Sequence, residues 1–145
     1  MPQRNTEQHT AYTLQQNLVD QLVEKRSIQS PQVEAAFRTV PRHLFVLHVS
    51  PKDAYQDKVV TLKLRGKQPI SSSSQPTMMA LMLEQLDLQP GMRVLEIGAG
   101  SGFNAALMAH IVGPTGHVVS LDLDDDLVAG ARANLHRAGI DNVTV

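Results

Sequence analysis

The chain has 145 residues, of which 42% are hydrophobic and 19% charged, the proportions of a globular chain long enough for one domain with its own core. Lys and Arg number 13 against 14 Asp and Glu, for a formal net charge of -1. No basic block forms a stripe, so the electrostatic footprint of a nucleic-acid binder is missing. Cysteine is absent, which excludes disulfides, cysteine-ligated zinc and thiol nucleophiles and fits a reducing, cytoplasmic setting. Aromatic residues make up 3%, too few for a stacking platform.

In chain order, the opening MPQRNTEQHTAYTLQQ is polar, and the longest apolar run, MMALML at 78–83, falls far short of a bilayer span. The expectation is a soluble protein with no signal peptide and no membrane segment. Leu14, Leu18, Val19, Leu22 and Val23 recur at helical spacing between polar residues and predict an amphipathic helix. Ser30-Pro31 reads as an N-cap and first-turn proline. It opens a helix whose Val33, Ala36, Phe37 and Val40 share one face before Pro41 ends it. From Ser50 to Ser74 the signals weaken: Pro51, Gly66 and Pro69 punctuate a polar stretch closing in four serines, which predicts a long exposed loop with one short strand at Val59–Leu64.

Pro76 restarts a helix to about Leu88, apolar on nearly every side and therefore expected to be buried. Its methionines read as core filling rather than as a ligand site. Arg93–Ile97 is a short apolar strand. Gly98-Ala99-Gly100-Ser101-Gly102 follows, then a helix through Phe103 and Ile111, a second strand at Val118–Leu121, and a helix capped by Asp124 and stopped at Gly139. Asn142–Val145 begins a third strand. Strand, glycine loop, helix, strand, helix, strand is the first half of a doubly wound parallel α/β sheet, Rossmann-like in order. Parallel sheets need cover on both faces and at their edges. The expectation is therefore a truncated chain, or one that borrows strands from a partner.

The glycine loop leaves a strand and opens a helix, so its amides are expected to point outward at a dipole-positive end, with no side chains between backbone and ligand. A tight structural turn is the competing reading. Glu96 ends an otherwise apolar strand two residues ahead of Gly98, and a buried carboxylate there needs a partner, such as a cationic amino group or water. Asp122 lies at the end of the next strand, 20 residues past Gly102, the spacing from which an acid reaches ribose hydroxyls. Its competing role, helix capping, suits Asp124 better. A dinucleotide loop of the GxGxxG type would carry glycine or another small residue at 103, where Phe103 stands. Glycine at 102 with Glu96 ahead of the loop instead resembles the class I methyltransferases, which bind S-adenosyl-L-methionine. His43 reads as a packed structural histidine. No histidine shows ligand spacing and the run Asp124-Asp125-Asp126 lacks the rest of a calcium loop, so no metal is assigned.

Leu18-Val19-Asp20-Gln21-Leu22, Val33-Glu34-Ala35-Ala36-Phe37, Val40-Pro41-Arg42-His43-Leu44-Phe45-Val46, Ala54-Tyr55-Gln56-Asp57, Ser74-Gln75-Pro76 and the segment from Val94 to Gly102 occur in this order. In that order they resemble the protein-L-isoaspartate O-methyltransferases. The resemblance implies methyl transfer from S-adenosyl-L-methionine to the α-carboxylate of an L-isoaspartyl residue in a damaged protein or peptide. By matching positions it implies Ser74 as active-site serine, Glu96, Gly98, Gly100 and Gly102 as the cofactor loop, and Asp122 as the acid on the ribose. Residues 1–75 would then be a helical region with the substrate loop, and 76–145 the first half of the cofactor-binding domain. The family usually has a Thr-Ile pair before the serine. Here Ser72-Ser73 stand there, after a stretch several residues longer than usual, a departure that bears on substrate choice. It prompts an alternative acceptor, a peptide in a biosynthetic pathway; a non-catalytic binding module is the reading from another class. For the serine run itself, a flexible linker competes with the site reading.

Overall fold

The structure, a computed structural model, describes residues 2–145, with side chains from Thr10 onward. Met1, which opens the polar N-terminal stretch, lies outside the described residues. Helix α1 runs Pro2–Glu24 and α2 Pro31–Thr39. Ser30 caps α2 by accepting from the Val33 amide, and Glu84 in turn accepts from the Ser30 amide and hydroxyl. A 3-10 turn, Arg42–Phe45, follows, then the short helix α3, Pro51–Ala54, capped by Ser50.

The exposed loop expected over 50–74 is instead mostly a β-hairpin. Strand β1, Val60–Arg65, pairs antiparallel with β2, Gln68–Ser73, about a two-residue turn in which Gly66 has φ +61°. Sequence reading stops at β1 because β2, with Pro69 and three serines, has no apolar alternation. A two-stranded ribbon buries little of it, and proline is tolerated on such an edge.

Helix α4, Pro76–Leu86, is the second correction. Met79, Ala80 and Leu83 are buried, but Met78, Met82 and Leu86 are about half exposed at 49%, 48% and 51%. Apolarity on every side announces a need for cover, and within the described residues α4 is covered on one side only. Strands β3 (Arg93–Ile97), β4 (His117–Leu121) and β5 (Val143–Thr144) form a parallel sheet in the order β3-β4-β5, connected by α5 (Phe103–Val112) and α6 (Asp125–Arg137). The inward residues Val118 and Ser120 of β4 are fully buried, whereas Leu95, Ile97 and Leu121 on the sheet are exposed. One core joins α1, α2, α4, α5, β4 and α6 through Leu22, Phe37, Leu83, Phe103, Leu107, Val118 and Leu135. Among the described residues no helix is long and apolar enough to cross a membrane.

Candidate functional site

The end of β3 leads into three glycines with left-handed backbone, Gly98 at φ +96°, Gly100 at +53° and Gly102 at +84°, a run that other residues adopt only under strain. The expected outward row of amides is not what forms. The Gly98 and Ala99 amides donate to the Leu121 carbonyl at 2.7 and 2.9 Å, and the Gly102 amide to Ala99 at 2.8 Å. The Gly100 amide donates to Asp122 Oδ2 at 2.9 Å. The bonds to Leu121 and Asp122 lash the loop to the end of β4 and occupy its Gly98, Ala99 and Gly100 amides, so what the loop leaves open is shape and missing side chains rather than a row of free donors. At Gly102 an added Cβ would lie 3.3 Å from Ala131 of α6, and at Gly100 3.3 Å from Leu62 of β1. The first closeness lets α6 pack on the loop; the second shows the hairpin lying against it.

Asp122 also accepts from the Asp124 amide at 3.3 Å, while Asp124 itself caps α6 by accepting from the Asp126 amide at 3.1 Å. The cap of α6 is therefore Asp124 and not Asp122. Lys63 of β1 pairs with Asp124 at 2.5 Å and Asp126 at 3.1 Å, tying the hairpin to the start of α6. Among the described residues no group of three metal-ligating side chains forms.

Glu96 faces the sheet interior. Its Oε1 accepts from the Ser120 hydroxyl at 2.6 Å and its Oε2 from Asn104 Nδ2 at 2.7 Å. Burial pushes this carboxyl above its ordinary range; the two hydrogen bonds oppose that and the nearby Asp122 charge adds to it. No Lys or Arg pairs with it among the described residues. Ser120 stands directly opposite Glu96 in the β3/β4 register. Neither Ser120 nor Asn104 is singled out by sequence reading, although a serine at an inward position of the apolar strand His117–Leu121 is a signal that a polar partner sits across the sheet.

The glycine loop, Glu96, Asn104, Phe103, Met79, Met82 and Ser72–Ser74 line one cleft of about 310 Å³. Of the residues singled out in the sequence, Ser74, Glu96, Gly98 and Gly100 are thereby brought together. Gly102 and Asp122 are not among the lining residues, and Asp122 reaches the loop by accepting from the Gly100 amide. The Ser74 side chain is exposed, but its backbone is pinned, since its carbonyl accepts from Arg42 Nη2 at 3.1 Å. Arg42 is 1% exposed, donates through Nε to the Ala54 carbonyl at 2.9 Å and lies 5.1 Å over the Phe103 ring. Desolvation lowers its pKa to about 10, against which Tyr55 and Asp57 act, and it remains a cation at neutral pH. A lone arginine before Leu44-Phe45-Val46 is the sequence signal of such a strut. His43 contacts the Tyr55 hydroxyl at 2.8 Å, away from the cleft lining. Asp57 accepts from the Thr77 amide and hydroxyl at 2.9 and 2.6 Å, which fixes the start of α4 behind Ser74.

The model of one protein family, protein-L-isoaspartate(D-aspartate) O-methyltransferase (PCMT), matches residues 13–145. A protein-L-isoaspartate O-methyltransferase of Methanothermobacter thermautotrophicus is 42% identical over 128 residues, covering 88% of this chain and 57% of that protein. One of Pyrococcus horikoshii is 46% identical over 127 residues, covering 88% and 54%. The chain therefore spans about half the length of the curated relatives it matches. Among solved structures, a protein-L-isoaspartate O-methyltransferase superposes with a TM-score of 0.80 at 38% identity, over 90% of this chain and 40% of that one. The beta-aspartate methyltransferase (PCMT) of Plasmodium falciparum, in complex with S-adenosyl-L-homocysteine, gives 0.76 at 26% identity, over 90% and 61%.

Proposed function

The chain belongs to the protein-L-isoaspartate(D-aspartate) O-methyltransferase family, and from that premise we propose that its cleft binds S-adenosyl-L-methionine and serves methylation of the α-carboxylate of L-isoaspartyl residues in damaged proteins or peptides. The observation that carries this reading is the shared cleft: the glycine loop and the Ser72–Ser74 segment, 24 or more residues apart in sequence, wall the same space. The residues fit the cofactor, because Gly98 and Gly100 line the cleft without side chains and, among the described residues, no Lys or Arg pairs with the Glu96 carboxylate. Residues 1–75 would supply the acceptor side and 76–145 the cofactor side. The absence of cysteine suits a cytoplasmic reaction.

In this reading Glu96 faces the methionyl end, Gly98, Gly100 and Gly102 shape its seat, and Asp122 accepts from the ribose hydroxyls. When bound, the cofactor supplies an electrophilic methyl group on a sulfonium. No side chain has to take a proton, because an acceptor carboxylate with a pKa of ~4 is already ionised at neutral pH. The chain's work is orientation and exclusion of water, which together reach about 10 kcal/mol for well-aligned reactants. Ser74, held from behind by Arg42, would orient the acceptor carboxylate through its exposed hydroxyl.

Ser74→Ala is expected to lower turnover of an isoaspartyl peptide tenfold or more, about 1.4 kcal/mol, with little change in cofactor affinity. Ser71→Ala should do almost nothing. Equal rates for both variants and the wild type would remove Ser74 from the site, and equal methylation of the aspartyl twin peptide would remove isoaspartate as the acceptor. Asp122→Ala should weaken S-adenosyl-L-homocysteine binding by roughly 2 to 4 kcal/mol, as for charge-assisted bonds lost from a partly buried site. It should also loosen the glycine loop, because the Gly100 amide loses its acceptor. Calorimetry showing wild-type affinity with a lower melting temperature would reduce Asp122 to that structural tie.

A further inference from the structure

Among the described residues two buried side-chain polar atoms have no hydrogen-bond partner, Ser73 Oγ and Asn104 Oδ1, and both residues line the cleft assigned above to the cofactor and acceptor. Buried polar groups are nearly always paired, so two orphans in one cleft mark places where a ligand completes the pairing. Asn104 is the more informative of the two because its orientation is fixed. It sits in the first turn of α5, and its Nδ2 donates to Glu96 Oε2 at 2.7 Å. A carboxylate only accepts, so it holds the amide nitrogen on its own side and leaves Oδ1 as an acceptor for some other donor.

The geometry points to Asn104 as a cofactor-contact residue: we propose that its Oδ1, alongside the Glu96 carboxylate, accepts a hydrogen bond from the α-ammonium of the cofactor's methionyl end. The inference rests on the reading of the cleft as the S-adenosyl-L-methionine site. Two acceptors side by side, one of them anionic and, among the described residues, with no Lys or Arg pairing to it, are complemented by a cation with several N–H donors. An ammonium carries three, whereas a ribose hydroxyl carries one and has Asp122 within the same loop system. Oδ1 exposes less than 1 Å², so a donor that reaches it is shielded from water, where a charge-assisted bond is strongest.

The test is calorimetric binding of two ligands, S-adenosyl-L-homocysteine and 5′-methylthioadenosine, which shares the nucleoside but lacks the amino-acid end. The wild-type protein is compared with Asn104→Leu, close in volume, and Asn104→Ala. Each substitution should weaken S-adenosyl-L-homocysteine tenfold or more and change 5′-methylthioadenosine by less than twofold. A residue that merely shapes the glycine loop would weaken both ligands alike, and that result, or unchanged affinity for both, overturns the proposal. To separate contact from action through Glu96, Asn104→Leu is repeated on a Glu96→Gln background. A further loss of fivefold or more supports direct contact; no further loss means that Asn104 only positions Glu96. If the folded wild-type protein binds neither ligand, the cofactor reading itself falls and takes this inference with it. Wild-type binding with insensitive variants removes the inference alone. Should Asn104→Leu fail to fold, Asn104→Ala carries the same comparison.

Discussion

Gly100→Val is expected to reduce S-adenosyl-L-homocysteine binding by more than a hundredfold and to lower the melting temperature by a few degrees. Gly100 has φ +53°, which costs a residue with a Cβ roughly 1 to 2 kcal/mol and a β-branched one more. The added Cβ would lie 3.3 Å from Leu62 Cδ1 and 3.7 Å from the Ser72 carbonyl. Leu62 offers the far end of a flexible side chain and can give way, so the first carbon is tolerated. The two γ-methyls of valine are not, because Gly100 lines the cleft beside Ser72–Ser74 and Met79. Gly100→Ala separates the two effects: it carries the backbone strain without the branching and should keep a measurable part of the affinity. Full affinity in the valine variant, measured by calorimetry on protein shown to be folded, would place the ligand elsewhere.

The parts of this fold that were legible in the sequence are those with a local cause. The strand Arg93–Ile97 is bounded by Gly91 and Gly98, and Ser30 and Asp124 are caps whose side chains bond within three residues. What escaped depends on partners far along the chain. Strand β2 exists because Ser73 pairs with Val60 and Ser71 with Lys63, and serines announce no such pairing. The exposed side of α4 escaped because hydrophobic content states how much cover a helix needs and not which elements supply it. At the site, Glu96, the glycines and Asp122 were legible because they lie within one strand-loop-helix-strand unit of fixed spacing. Asn104 and Ser120 were not: both hydrogen-bond Glu96 across the fold, and the sequence carries at most the hint of a serine at an inward strand position. Arg42 escaped for the same reason, since its three attachments, Ala54, Ser74 and Phe103, lie 12, 32 and 61 residues further along the chain.

Glu96→Gln should separate stability from binding in opposite directions. In the ligand-free protein burial raises the Glu96 carboxyl above its ordinary pKa, so ionising it costs more in the folded than in the unfolded chain. The stabilisation tied to its protonated form is present below the unfolded pKa and is lost as pH rises through the folded one. Above the raised pKa the wild type has lost it. The glutamine variant, neutral at every pH, should therefore melt at the same or a higher temperature at pH values above that raised pKa, with its advantage shrinking toward acid. The introduced amide oxygen can accept from Asn104 Nδ2 while its NH2 donates to the Ser120 hydroxyl oxygen, so each neighbour keeps a hydrogen bond. Binding should move the other way. Without the carboxylate the methionyl ammonium loses its charge partner, at a cost of about 2 kcal/mol or roughly 30-fold in affinity for S-adenosyl-L-homocysteine. The pH dependence supplies a second readout: wild-type affinity should rise with pH through the raised pKa, with release of up to one proton on binding, and that step should vanish in the variant. Calorimetry in buffers of different ionisation enthalpy measures the proton directly. A variant that melts lower at pH 7 and binds with wild-type affinity and the same pH step would make Glu96 a strut between Ser120 and Asn104 rather than the anionic end of the site.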